Sequence, residues 1–87
     1  MLKIQRLVDS DTITLIVVGR IDAEQLPTLE SLVQAEDVGD MVLDLTDVRL
    51  VDAAVVRFLV QCETQGVRLE HCPAFIREWM IREDKSS

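Results

Sequence analysis

The residues of this 87-residue chain with the greatest capacity for covalent chemistry are a histidine and a cysteine that are adjacent in sequence. His71 is the only histidine, and Cys72 precedes Pro73, a favoured first residue of a helix. A thiol at a helix N-terminus can have a lowered pKa and act as a nucleophile. Neighbouring residues in a strand point to opposite faces, so His71 and Cys72 do not form an obvious nucleophile–base pair. We expect structural roles for both.

The candidate ligands for a divalent cation are four aspartates: Asp22, Asp44, Asp47 and Asp52. Asp44 lies at the end of an apolar run and Asp52 precedes a run with helical periodicity, so a strand end and a helix cap account for them without a metal. The two cysteines form neither a CxxC pair nor a metal-binding cluster, and the three glycines form no phosphate-binding loop. The sequence therefore predicts no metal, no cofactor and no enzymatic activity.

Composition restricts the kinds of partner. The chain is 48% hydrophobic but only 3% aromatic, and its formal net charge is −7. The core must therefore consist of Val, Leu and Ile, and the acidic surface repels nucleic acid and anionic membranes but favours a partner with a basic face. No apolar run reaches the ~18–20 residues of a membrane span, and no signal-peptide pattern is present. These features predict a cytoplasmic protein without membrane insertion.

The strands are predicted from hydrophobic periodicity. Residues 3–8 alternate apolar and polar, and residues 12–18 are rich in β-branched residues, which indicates a hairpin that Gly19 ends. Residues 41–45 and 67–71 are the third and fourth strands, and the segment after Leu45 is expected to form turns. Because helical segments separate the later strands, the chain is expected to be one α/β domain over residues 1–87. Its order is ββαβαβα, with a mixed, mostly parallel four-stranded sheet.

The first two helices are predicted from their caps. Asp22 and Gln25 have the spacing of a capping box, and a loose turn then leads to a helix over residues 27–35, with a polar loop after it. Asp52 is a good N-cap for a second helix, for which Gly66 is a C-cap.

The third helix is predicted to open at Pro73. Its apolar side is expected to consist of Phe75, Ile76, Trp79 and Met80. The polar tail, residues 83–87, is expected to fray.

Two segments resemble the STAS family, the domain of sulphate transporters and anti-sigma factor antagonists. Residues 15–22, LIVVGRID, are similar to that family's strand ending in Gly-x-x-Asp. Residues 41–52, MVLDLTDVRLVD, are similar to its buried strand, its Asp-Leu-Ser/Thr turn and a second turn that delivers an Asp to a helix start. The spacing agrees without a gap over residues 15–59. The positions that match jointly are Gly19, Asp22, Asp44 and Asp52.

The resemblance implies a STAS-like domain that binds a regulatory protein, namely an anti-sigma factor or a related kinase-fold protein. It implies a partner-binding surface at the start of the second helix. The residues assigned to that surface are Asp22, Thr46, Asp52, Ala53, Ala54 and Arg57.

The chain departs from the family pattern in two ways. In bacterial anti-sigma factor antagonists the Asp is followed by Ser-Ser-Gly, and the first Ser is phosphorylated by the partner kinase. Here Ala53 occupies that position and cannot be phosphorylated, which makes Thr46 the fallback phosphosite. The sequence also stops after the third helix, where a typical member continues with another strand and helix. An open sheet edge and a homodimer are therefore expected. The alternative is that the charges of Arg68 and Glu70 protect this edge from pairing and leave the chain a monomer.

Two classes of function remain open. The chain is either a regulatory interaction domain without a phosphoserine switch, or a constitutive structural STAS-like subunit of a larger assembly or transport complex. Asp22 and Asp52 favour the first class, and the missing serines favour the second. A third account is that Ala53 and Ala54 merely favour the helix that Asp52 caps.

Overall fold

The computed structural model describes residues 2–35 and 40–86, and its elements follow the predicted order. They are β1 (Leu2–Asp9), β2 (Thr12–Ile21), α1 (Leu26–Ala35), β3 (Asp40–Val51), α2 (Ala53–Thr64), β4 (Arg68–Glu70) and α3 (Ala74–Ser86). The strands form one sheet in the order β1-β2-β3-β4. β1 pairs with β2 antiparallel, whereas β2–β3 and β3–β4 are parallel. The prediction of an α/β fold with a mixed, mostly parallel four-stranded sheet and three helices is confirmed.

The core lies between one face of the sheet and the helices. Both crossovers, β2-α1-β3 and β3-α2-β4, move in the same direction across the sheet, so right-handed connections place α1 and α2 on one face. Alternate residues of β2 are buried on that face, beginning with Ile13. The fully buried side chains from strands and helices are Leu15, Val17, Ile21, Leu29, Leu43, Leu45, Val55, Val56, Leu59 and Ile76. They are all aliphatic, as the composition predicted.

Strand β3 is longer than predicted and is irregular. It continues past Leu45 to Val51, so the expectation of turns in that segment is wrong. The register with β2 shifts twice, between Ile16 and Val18 and between Gly19 and Arg20, and each shift gives β3 one extra residue. Such bulges bend a strand without ending it. Local turn chemistry in the sequence is therefore accommodated inside a continuous strand.

Strand β2 also continues beyond its predicted end. Gly19 has a φ of 102°, a conformation that side-chain-bearing residues rarely adopt, and the strand passes through it to Ile21. In contrast, β4 is shorter than predicted. Val67 donates its N–H to the Cys62 carbonyl at 2.9 Å, and His71 has a φ of 56°, so neither residue extends the strand.

The predicted ends of α1 and α2 are correct to within a residue. α1 begins at Leu26, with Pro27 in its first turn. α2 is capped by Asp52, and Gly66, with a φ of 99°, follows its last residues. The Gly66 N–H bonds to the Glu63 carbonyl at 3.1 Å, which together with the Val67 bond forms a Schellman motif. The loop predicted after α1 lies mostly outside the described residues.

Helix α3 begins at Ala74, one residue after Pro73. Ile76 and Met80 are buried as predicted, but Phe75 is 46% exposed, so its assignment to the apolar side is wrong. The helical backbone reaches Ser86, beyond the point where the polar tail begins, and fraying of residues 83–87 stays a prediction. Within residues 2–35 and 40–86, no helix is both long enough and apolar enough to span a membrane.

Candidate protein-interaction site at the carboxyl ends of strands β2 and β3

The parallel strands β2 and β3 end side by side at their carboxyl ends, where α2 begins. Ile21, the last residue of β2, pairs with Val51, the last residue of β3. The next residue of each chain segment is an aspartate, Asp22 in one and Asp52 in the other. The register therefore places Asp22 and Asp52 next to each other at the carboxyl ends of the two strands, beside the first turn of α2.

The carboxylate of Asp52 joins the two connections. Its Oδ1 accepts a hydrogen bond from the Val55 N–H at 3.1 Å, which is the predicted N-cap of α2. Its Oδ2 accepts from the Ala23 N–H at 2.7 Å, in the turn that leads to α1. The second bond links residues 29 positions apart, and no local pattern in the sequence indicates it.

The carboxylate of Asp22 caps its own turn. Its Oδ1 accepts from the N–H groups of Glu24 at 3.0 Å and Gln25 at 3.3 Å, while its carbonyl accepts from the Leu26 N–H at 3.0 Å. The reciprocal half of the predicted capping box is absent, because Gln25 Oε1 is buried without a hydrogen-bond partner among the residues that the structure describes. The Asp22 side chain thus stays exposed at the edge of the sheet.

The first turn of α2 carries a small apolar surface. Ala53 and Ala54 are partly exposed, and that turn contains no acidic side chain. The amino end of a helix carries about half a positive charge. Asp22 and Asp52 lie next to this end, so the surface combines methyl groups with flanking negative charge. A partner that offers apolar contacts ringed by basic groups would complement it.

Arg57 follows Ala53 by one helical turn, which places both on the same side of α2. Its side chain is 65% exposed, and its Nε lies 3.3 Å from Glu83 Oε2 on α3. The other Glu83 oxygen accepts from Trp79 Nε1 at 3.3 Å. An exposed ion pair of this kind contributes roughly 0–1 kcal/mol, so Glu83 restrains the Arg57 side chain only weakly.

Thr46, the sixth residue assigned to the partner-binding surface, belongs to a different cluster. It lies within β3, and its hydroxyl donates to Asp44 Oδ1 at 2.6 Å while its N–H donates to the same oxygen at 3.0 Å. His71 Nδ1 lies 3.5 Å from this oxygen. The expectation that Thr46 lies in a turn beside the helix is therefore wrong. In this cluster the carboxylate lies between hydroxyl and imidazole, which differs from a serine–histidine–aspartate relay.

Burial raises the pKa of both thiols above its ordinary value. Cys72 is partly buried, and this burial raises its pKa, although Arg77 opposes the effect. This direction favours the structural role expected for Cys72 over an activated thiol at the start of α3. Burial and Glu30 raise the pKa of Cys62 to about 11. Among the side chains of residues 2–34 and 40–83, no group of three His, Cys, Asp or Glu is arranged to hold a metal ion.

Comparison with known protein families and curated proteins finds no match, so the STAS resemblance rests on the residues alone. No model of a known protein family matches the chain. No curated protein matches it at a significant level either.

Replacement of Asp52 tests its double role. Asp52→Ala removes the acceptor for both N–H groups, so we expect the free energy of unfolding to fall by about 1–3 kcal/mol. Asp52→Asn keeps one acceptor oxygen and should lose less. Asp22→Ala, which affects only its own exposed turn, is the matched control. Urea unfolding followed by circular dichroism measures all three, and equal losses for Asp52→Ala and Asp22→Ala would contradict the joint role of Asp52.

The Asp44 cluster predicts a pH dependence of stability. The Thr46 hydroxyl is the largest cause that holds the pKa of Asp44 below its usual 3.8; burial opposes it and His71 reinforces it. A carboxyl group with a lowered folded-state pKa stabilises the fold above its unfolded-state pKa, and this stabilisation is lost as the pH falls through the folded-state value. Thr46→Val should therefore be less stable than wild type at pH 7, and the difference should narrow in strong acid. If the difference in unfolding free energy between wild type and Thr46→Val does not change with pH, this prediction is wrong.

Proposed function

We propose that this chain is a non-enzymatic protein-interaction domain that binds a regulatory protein through the surface at the start of α2. The residues of this docking surface are Asp22, Asp52, Ala53, Ala54 and Arg57. The partner that the STAS resemblance favours is an anti-sigma factor or a related kinase-fold protein. The proposed location is the bacterial cytoplasm, which the two free thiols support.

The observation that carries the proposal is the pair of hydrogen bonds to Asp52. Because Oδ1 holds Val55 and Oδ2 holds Ala23, the two connections are fixed relative to each other before any partner arrives. A pre-organised surface loses less conformational entropy on binding. Of the residues of the docking surface, Asp22 and Arg57 are the ones with exposed charged groups. Ala53 and Ala54 add partly exposed methyl groups.

In this function the chain binds without a phosphoserine switch. A phosphate at the family position would place about −1.5 to −2 charge at the amino end of α2. Ala53 cannot carry one, so the docking surface keeps the charge of the unphosphorylated, partner-binding form. Binding is then controlled by the abundance or the state of the partner.

Ala53 and Ala54 also favour a second function, that of a constitutive structural subunit of a larger assembly or transport complex. In such a subunit a phosphorylatable residue has no use. The neighbouring genes separate the two functions: a sigma factor or kinase gene supports the regulatory domain, whereas a transporter operon supports the subunit.

Ala53→Asp tests the docking surface. The new carboxylate lies at a helix N-terminus, where the dipole favours it by roughly 0.3–1 kcal/mol, so the melting temperature should stay equal or rise slightly. Against a partner it must be desolvated or repelled, and we expect affinity to fall about 5- to 150-fold. Calorimetric titration with the co-purified partner measures the affinity, and thermal melting measures stability on the same sample.

The matched control is Ala74→Asp, which adds the same charge at the first residue of α3. It should leave partner affinity unchanged. If Ala53→Asp melts normally and binds as tightly as wild type, the docking surface lies elsewhere on the domain.

Phosphorylation of Thr46 stays a prediction and has its own test. The hydroxyl is exposed in β3 but donates to Asp44, so a kinase must first break that bond. Incubation with the partner kinase and ATP, followed by intact-mass measurement, should show one added phosphate in wild type and none in Thr46→Val. A phosphate that persists in Thr46→Val removes Thr46 as the phosphosite.

A further inference from the structure

Strand β4 forms one edge of the sheet. Within residues 2–35 and 40–86 the strand order ends at β4, whose three residues pair with β3 on their inner side only. The outer side of an edge strand presents unpaired N–H and C=O groups to which another strand can bond. Because β4 is so short, its side chains decide which strand can pair with it.

A groove of about 580 Å³ follows this edge. Its walls are the end of α2, at Glu63 and Thr64, and residues 66–70. The Schellman motif at Gly66 turns the chain sharply from α2 into β4, and the groove lies along that turn and strand. All three residues of β4 line this groove.

The charges on β4 alternate around one apolar residue. Arg68 and Glu70 are exposed and, two residues apart, lie on the same face of the strand. Leu69 points to the other face and packs against the core. Neither Arg68 nor Glu70 has an ion-pair partner among the residues that the structure describes. The edge therefore carries one free positive and one free negative charge.

We propose that this edge binds the same edge of a second copy of the chain, with the two β4 strands antiparallel about a twofold axis at Leu69. In this register Arg68 lies directly opposite the second copy's Glu70, and Glu70 lies opposite the second copy's Arg68. Opposite charges at directly paired positions stabilise an antiparallel pair, and like charges destabilise it. The edge is thus self-complementary, as an isologous interface requires.

The same charges exclude the neighbouring registers. An axis at Arg68 would set two arginines opposite each other, and an axis at Glu70 would set two glutamates opposite each other. Only the register centred on Leu69 pairs unlike charges on one face and leucine with leucine on the other. The pairing uses β4 rather than the start of α2, so it does not depend on the proposed function.

The dimer is expected to be weak. Three residues per strand give a small interface compared with stable complexes, and the net charge of −7 on each copy opposes association. We expect the mass-average from sedimentation or light scattering to rise toward that of a dimer between micromolar and millimolar concentration.

Charge reversal tests the register. Arg68→Glu and Glu70→Arg each turn both cross-strand pairs into like-charge pairs, so each variant alone should associate about tenfold more weakly or worse. An equimolar mixture of the two variants sets two acidic side chains of one copy against two basic side chains of the other, and should form a one-to-one heterodimer. The double variant Arg68→Glu/Glu70→Arg should dimerise like wild type but not mix with it.

The control for net charge is Glu78→Arg on α3, which makes the chain less negative by the same two charges as Glu70→Arg. It should not weaken association. A wild-type chain that is monomeric at every concentration overturns the proposal, as does a dimer that the single reversals leave intact. If a single variant fails to fold, the double variant still tests the register. A double variant that forms heterodimers with wild type as readily as homodimers contradicts the register.

Discussion

The carboxylate of Asp52 fixes how the segment that follows β2 and the segment that follows β3 are arranged relative to each other. The chain leaves the sheet twice at one edge, and each exit exposes backbone N–H groups that need acceptors. One side chain meets a donor from each exit, Val55 on α2 and Ala23 before α1. The amino end of α2 is therefore fixed with respect to β2, although β3 lies between them in sequence.

The two bulges in β3 make this contact possible. At the start of the parallel pair Thr12 lies opposite Asp40, an offset that would set Ile21 opposite Arg49 if it continued unchanged. Asp52 would then lie two residues, or about 6–7 Å, further along the strand direction. The bulges take up those two residues, so that Val51 reaches the level of Ile21 and Asp52 reaches Ala23. Irregularity in the strand thus places Asp52 beside Ala23.

Sequence rules that act over a few residues correctly predicted the helix caps, because a cap depends mainly on its own residues. Asp52 and Gly66 have side-chain or backbone properties that fit a cap wherever the helix packs, and both were identified from sequence. Contacts between distant segments were not: the Asp52–Ala23 bond and the Asp44–His71 pair depend on strand register, which the sequence specifies only through the whole sheet. Thr46 was misplaced for the same reason, since a turn motif and a bulge have similar local chemistry.

The two surfaces respond differently to the same net charge. At the start of α2, the negative field of the chain would attract the proposed basic partner over a long range, and added salt would screen that attraction. At β4, the same field repels a second copy, so salt screens a repulsion while it weakens the short-range pairs of Arg68 and Glu70. Salt therefore lowers affinity at the docking surface by one effect, whereas at the strand edge two effects oppose each other. If both proposals hold, the net charge of the domain strengthens the binding of its partner and weakens its self-association.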